Sequence, residues 1–292
     1  MSLGTSGNKT VYQFRFSQQG DQRAASTWYK WDLTGTLLDQ FFDASTYYAV
    51  VANGTDVYVQ SYDLTQASEE GYLTLPTGEK TDVCLDLWNV NPYRTYDSSA
   101  KTTRIFLPYD EVSSGTFSVV LLGRYIGASD ALTRASVGAV LYPTVQGTAG
   151  AYYVDIDGDY RGRDLIIGYI YTMNVELPKF FLTQSDGKTA QSDFTSDLII
   201  HRIKVSTGLS GPVKYQITIT GRPEWTQTIE AVQPYVYDLN NVNLSAEAIH
   251  NISIYQRNEN LSLKIIGDSP MPVSLLSLNW EGRYTNGFYR RS

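Results

Sequence analysis

Large and polar residues alternate at period two over short stretches, and turn signals interrupt them too often for a long helix to form. From Val11 the chain reads Val-Tyr-Gln-Phe-Arg-Phe, the pattern of a strand with one buried face. Residues 26–33 repeat it around Trp28 and Trp31, and residues 47–51 and 56–64 flank Asn53-Gly54, the dipeptide that most favours a two-residue hairpin turn. With 23 Tyr, 23 Gly and only 18% charged residues, the composition suits tyrosine-faced strands and many turns. An all-β fold follows.

A chain of 292 residues can bury a sizeable core. Residues 1–9 are small, polar and patternless, and are read as an expression leader on the C-terminal part of a longer protein. Residues 10–97 are read as a small blade-like β-subdomain, either the end of a β-propeller or a free-standing sheet, with 18–25 as a polar connection. Residues 82–88 form one strand within it, and a boundary is placed near 97–101. Residues 98–292 then read as a larger antiparallel β-sandwich or distorted barrel. Its expected strands are 103–107, 116–122, 137–142, 151–156, 165–177, 198–205, 213–220, 235–239, 252–258, 261–266 and 273–280, with a tight hairpin at 257–260. Helical turns are expected only at 129–136 and 244–249.

The formal net charge of −7 argues against a dedicated phosphate-binding surface, which needs Lys and Arg gathered on one face. Cys84 is the only cysteine, so no intrachain disulfide can form. No run approaches the roughly 18 apolar residues of a spanning helix. Asp155, Asp157 and Asp159 stand at spacing two and are weak candidates for a hard cation. Residue 166 is Ile where a calcium loop needs its bidentate carboxylate, and a hairpin turn at Asp157-Gly158 explains the same residues. His201 and His250 share no metal-ligand spacing, and no phosphate-cradling loop or nucleotide fingerprint is present. Nucleophilic catalysis, metal hydrolysis and cofactor chemistry lack their parts, while a glycosidase, such as a hydrolase of host envelope polymers, needs only two carboxylates, which any sequence offers. Tyrosine and tryptophan rings on a rigid sheet suit a sugar-stacking face or a protein interface, which keeps a carbohydrate-binding β-module of a host-recognition adhesin as the alternative function.

Four blocks carry a resemblance. They are Trp-Tyr-Lys-Trp-Asp-Leu at 28–33 with the hairpin strand at 58–64, Gly-Arg-Asp-Leu-Ile-Ile-Gly-Tyr-Ile-Tyr-Thr-Met at 162–173, Leu-Ile-Ile-His-Arg-Ile-Lys-Val at 198–205, and the closing Trp280-Glu281-Gly282-Arg283-Tyr284 with Arg290 and Arg291. In these the chain resembles the C-terminal portion of the tail tubular protein B family, the nozzle proteins of short-tailed bacteriophages. The resemblance implies a non-enzymatic part of the virion tail, folded in the host cytoplasm and assembled as a six-fold ring. It implies contact with a tail adaptor protein and tail fibres, and passage of DNA without specific binding. It brings no cofactor and no membrane span. Trp280, Arg283, Tyr284, Arg290 and Arg291 become the candidates for an assembly interface: Trp280 locks the final strand on the sandwich, Gly282 permits a turn, and the arginines seek carboxylates on a partner.

Overall fold

The computed structural model describes residues 2–4, 7–19, 22–33, 35–63, 71–74, 80–109, 115–125, 138–148, 150–185, 190–193, 197–229 and 247–285. Two compact units, Met1–Ser68 and Glu69–Ser292, divide the chain. The first holds β1 (Ser2–Gly4), β2 (Thr10–Gln19), β3 (Gln22–Asp32), β4 (Thr36–Asp43), β5 (Thr46–Asn53) and β6 (Asp56–Asp63). These form two antiparallel sheets, β1-β2-β3 and β4-β5-β6. Gly54 takes a φ of 64° at the expected hairpin turn, a conformation that costs glycine nothing. Val11, Leu33, Leu37, Tyr47, Ala49 and Val51 build the core, and Trp31 stacks on Tyr62 with ring centroids 5.2 Å apart. Most of residues 18–25, expected as a connection, belongs to β2 and β3 instead, because the two strands stay paired from Thr10–Asp32 out to Gln19–Gln22. Part of the stretch read as a leader is likewise a strand, with Ser2, Leu3 and Gly4 opposite Gln13, Tyr12 and Val11.

The second unit begins with β7 (Tyr72–Thr74), β8 (Lys80–Asp82), β9 (Asp86–Val90), β10 (Arg94–Asp97), β11 (Thr102–Phe106), β12 (Phe117–Tyr125), β13 (Val140–Leu141), β14 (Tyr153–Asp157) and β15 (Arg163–Tyr169). Sheet β13-β12-β15-β9 packs on sheet β10-β11-β14 through Ile105, Phe117, Val119, Leu121, Val154, Ile156, Leu165, Ile167 and Tyr169. The intervening residues Val120, Leu122 and Ile166 point the other way, into a second core with Leu73, Leu85 and Met271. Strands β12 and β15 are therefore buried on both faces, which is why 165–169 is an unbroken apolar run rather than an alternating one. β9 hydrogen-bonds to β15, across the boundary expected near 97. Residues 83–85 leave the strand state, splitting the single strand expected at 82–88.

A second sandwich follows, from β16 (Met173–Glu176), β19 (Asp197–Thr207), β20 (Val213–Ile219), β21 (Trp225–Ile229), β22 (Ala248–Arg257), β23 (Leu261–Gly267) and β24 (Leu275–Thr285), while β17 (Leu182–Ser185) and β18 (Ala190–Asp193) pair with each other. Sheet β22-β19-β24 faces sheet β16-β23-β20-β21 across a core that includes Ile200, Ile203, Val205, Tyr215, Ile217, Ile252, Leu263 and Ile265. Among the described residues no sheet closes on itself, so the architecture is sandwich rather than barrel. Residues 257–260 are not a hairpin. They form a 3-10 corner, Asn258–Asn260, that carries the chain from one sheet of the sandwich to the other. The buried Asn258 amide holds the corner by exchanging hydrogen bonds with the Phe180 backbone, accepting from its N–H at 3.1 Å and donating to its carbonyl at 2.6 Å. Residues 248 and 249, expected as helical, lie in β22. The strand expected at 235–239 and the helical turn at 129–136 lie outside the described residues.

Strand β19 keeps its apolar residues inward only by breaking its own alternation. Ile200 and Ile203 are both buried, three positions apart, and His201 is the extra residue between them where the ladders to β22 and β24 shift register. On one side Tyr255 absorbs the irregularity with a φ of 52° and stacks on His201 at 5.3 Å. On the other side Gly282 lies opposite Ile200, so close that a Cβ would collide with the Ile199 carbonyl oxygen. Gly282 is thus not at a turn. β24 runs straight through it, and glycine is required by close approach at the bulge.

Two predictions follow from these contacts. Gly282→Ala should lower stability by about 1–3 kcal/mol, the usual cost of forcing atoms into a packed site, read as a lower urea midpoint with the same slope. The second concerns Tyr215, whose hydroxyl lies 2.8 Å from His250 Nδ1 across the two sheets. Burial holds His250 below its ordinary value of 6.5 and pushes Tyr215 up to about 12. The neutral imidazole is thus favoured by folding, and its contribution is complete above pH 6.5 and lost as pH falls through the depressed folded value. The fall in melting temperature between pH 7.5 and 5.5 should shrink in His250→Gln.

Candidate assembly surface

Strand β24 pairs with β19 on one edge and presents alternate residues to two different environments. Leu278, Trp280 and Tyr284 turn toward the sandwich core and are half-buried. Glu281 and Arg283 are exposed, aligned with Arg202 and Ile199 of β19. The aromatic and arginine candidates are therefore separated by the thickness of the sheet. Trp280 lies opposite Ile203 and Tyr284 opposite Leu198, both buried partners, so these rings serve packing. Arg283 is the candidate the fold leaves at the surface. Arg290 and Arg291 lie outside the described residues.

The outward face of β22-β19-β24 collects charge around one carboxylate. Arg202 Nε lies 3.0 Å from Glu281, and Lys204 bonds its other oxygen. The Lys204 hydrogen bond, with the Lys204 and Arg202 charges behind it, holds the Glu281 carboxyl below the usual range. Among the described residues Arg283 makes no ion pair, and Arg257 on β22 sits in the same lateral row, across Ile199. Arg202, Lys204, Arg257 and Arg283 thus share this face with two carboxylates, Glu281 and Asp197, a local excess of positive charge in a chain whose net charge is −7. Sequence reasoning singled out Arg283 and missed Arg202 and Lys204. Their spacing of two was visible, but the face they share with Glu281 depends on strand order.

The three aspartates weighed as weak cation candidates take different partners. Asp155 sits on β14 and is taken up by Arg104, with contacts of 2.8 and 2.9 Å. Asp159 lies beyond the strand, pairs with Arg161 at 2.7 Å and is held below the usual carboxylate range mainly by that bond. Asp157 is exposed, and no cluster of three metal-ligating side chains occurs among the described residues. Nor is Asp157-Gly158 a hairpin turn between neighbouring strands. β14 pairs with β11 while β15 pairs with β12 and β9, so the turn hands the chain from one sheet to the next. Thr103 fixes that corner, donating its hydroxyl to the Gly158 carbonyl at 2.6 Å and accepting from the Tyr160 N–H at 3.0 Å. Arg94 anchors the following segment through the Arg163 carbonyl at 2.7 Å.

The surface this geometry builds is suited to contact. No curated protein matches the chain. Among solved structures, a cycloalternan-forming enzyme from Listeria monocytogenes in complex with a pentasaccharide substrate aligns at 11% identity, with 71% of this chain and 20% of that one covered. The TM-score is 0.15, too low to indicate a shared fold. The model of one family, described as bacteriophage nozzle protein, matches residues 1–291. That match spans both compact units and every strand described above, and the chain therefore belongs to the bacteriophage nozzle protein family.

Proposed function

We propose that the chain forms part of the distal tube of a short phage tail, as one subunit of a six-fold ring that conducts DNA during ejection and contacts the tail adaptor and fibres. Family membership over residues 1–291 carries the reading, because it makes the protein a structural component of the phage tail. The subunit is folded in the host cytoplasm and takes its place in the virion by surface contacts alone. No catalytic step is assigned to it.

Two physical features support the finer claims. The net charge of −7 suits a conduit: each Lys or Arg that neutralised a phosphate would add a barrier to a moving polyanion. The basic face of β22-β19-β24 suits the opposite task, docking on the acidic surface of a neighbouring copy or of the adaptor, where charge-assisted bonds set register and orientation. Arg283 is the central residue of that contact, since Arg202 and Lys204 already share Glu281.

Electron microscopy of the full-length protein should show rings, and a population of monomers at micromolar concentration would remove the reading. Arg283→Glu should reduce incorporation into tails by about tenfold while leaving the circular dichroism spectrum and melting temperature unchanged. Wild-type incorporation by that variant would take the contact away from this face.

A further inference from the structure

The outward face of sheet β10-β11-β14 is ordered in lateral rows. Phe106 lies beside Tyr93, whose carbonyl accepts the Phe106 N–H at 3.0 Å, and is opposite Tyr153 on β14. Three rings from three neighbouring stretches thus cross the sheet in one row, about 10 Å wide at the usual strand spacing. Tyr93 is 73% exposed and its ring centroid lies 5.4 Å from that of Phe106. The next row on the same face is Thr95, Arg104 and Asp155, and the third is Asp97, Thr102 and Asp157. The reverse face of the sheet turns Ile105, Val154 and Ile156 into the core.

Arg104 is held flat. Its guanidinium lies 3.9 Å over the Tyr153 ring and is gripped from the side by both Asp155 oxygens. A guanidinium carries five N–H donors, and two of Arg104's are spent on Asp155. The side chain remains 44% exposed, so donors are left over on a group that cannot swing away. Preordered polar groups beside an exposed ring are what a polyhydroxylated ligand needs: the ring stacks on the C–H face of a pyranose, while the guanidinium and carboxylate edges bond its hydroxyls. Charge narrows the class. Asp155 cancels Arg104, and Asp97 and Asp157 leave the face acidic, which repels phosphates, nucleic acid and acidic polymers. A packed protein interface would instead place its charges at the rim and an apolar patch at the centre.

We propose that this face is a binding platform for a neutral oligosaccharide, with Tyr93 and Phe106 as the stacking surface and Arg104 and Asp155 as the hydrogen-bonding pair. Tyr153 is a positioning residue, the bed on which Arg104 lies. The platform does not depend on the ring or on the basic face of the other sandwich.

The test displays the full chain to an array of neutral hexose and N-acetylhexosamine oligosaccharides together with sialylated and sulfated ones, followed by calorimetric titration of the best hit. Binding should be confined to neutral glycans and weaken about tenfold or more in Tyr93→Ala, whose side chain is too exposed to disturb folding. Arg104→Lys should weaken it similarly, since an ammonium cannot keep the two-point grip on Asp155. Absence of any neutral hit, hits among acidic glycans alone, or undiminished binding by Tyr93→Ala would each overturn the proposal. So would a Tyr93→Ala variant that loses self-association in sedimentation while the parent binds no sugar, which would make the face a contact between copies.

Discussion

Burial of β12 and β15 on both faces is the constraint from which the larger unit follows. A strand covered on one side needs one partner sheet, whereas Leu165, Ile167 and Tyr169 face one core and Ile166 faces another. The first core is closed by β11 and β14, which neighbour these strands in sequence. The second takes Leu73 and Leu85 from before them and Met271 from far beyond. Each fully buried aliphatic side chain contributes about 1.5–3 kcal/mol, so leaving that second face bare would forfeit a large part of the unit's stability. The late segment around Met271 is therefore structural, and the Cys84 N–H secures it through the Pro270 carbonyl at 2.7 Å.

What the sequence made legible was local. Alternation identified β2, β5, β6 and β11, and Asn53-Gly54 located its hairpin, because period and turn chemistry act over a few residues. Sheet membership was not legible. Asp157-Gly158 and 257–260 have the composition of hairpin turns, yet both are corners between sheets, and the side chains that decide this are distant ones, Thr103 and Asn258 with Phe180. The run at 165–177 looked like one strand because the pattern stays apolar, although β15 and β16 belong to different sandwiches. Short strands such as β10 and β21 carry too few apolar residues to show a period.

The candidate site was legible to the same extent. Trp280 and Arg283 were visible as unusual residues near the end of the chain, but their roles follow from pleat. The bulge at His201 decides which residues of β19 face outward, and with them which cations meet Glu281. The aspartate cluster shows the converse. Of three carboxylates close in sequence, Asp155 and Asp157 stay on β14 while Asp159 lies beyond it, and Asp155 became the clamp on Arg104. Asp155 and Glu281 take their cations from neighbouring strands, whereas Asp159 takes Arg161 from its own turn.

The placement of Met271 also bears on the order in which the protein is made. Strands β7 to β15 are made before residue 271, so Val120, Leu122 and Ile166 spend that interval covered by Leu73 and Leu85 but not by Met271. Synthesis thus passes through a stage at which the second core lacks its last side chain, and the incomplete face is open to chaperones or other nascent chains until residue 271 folds back onto it.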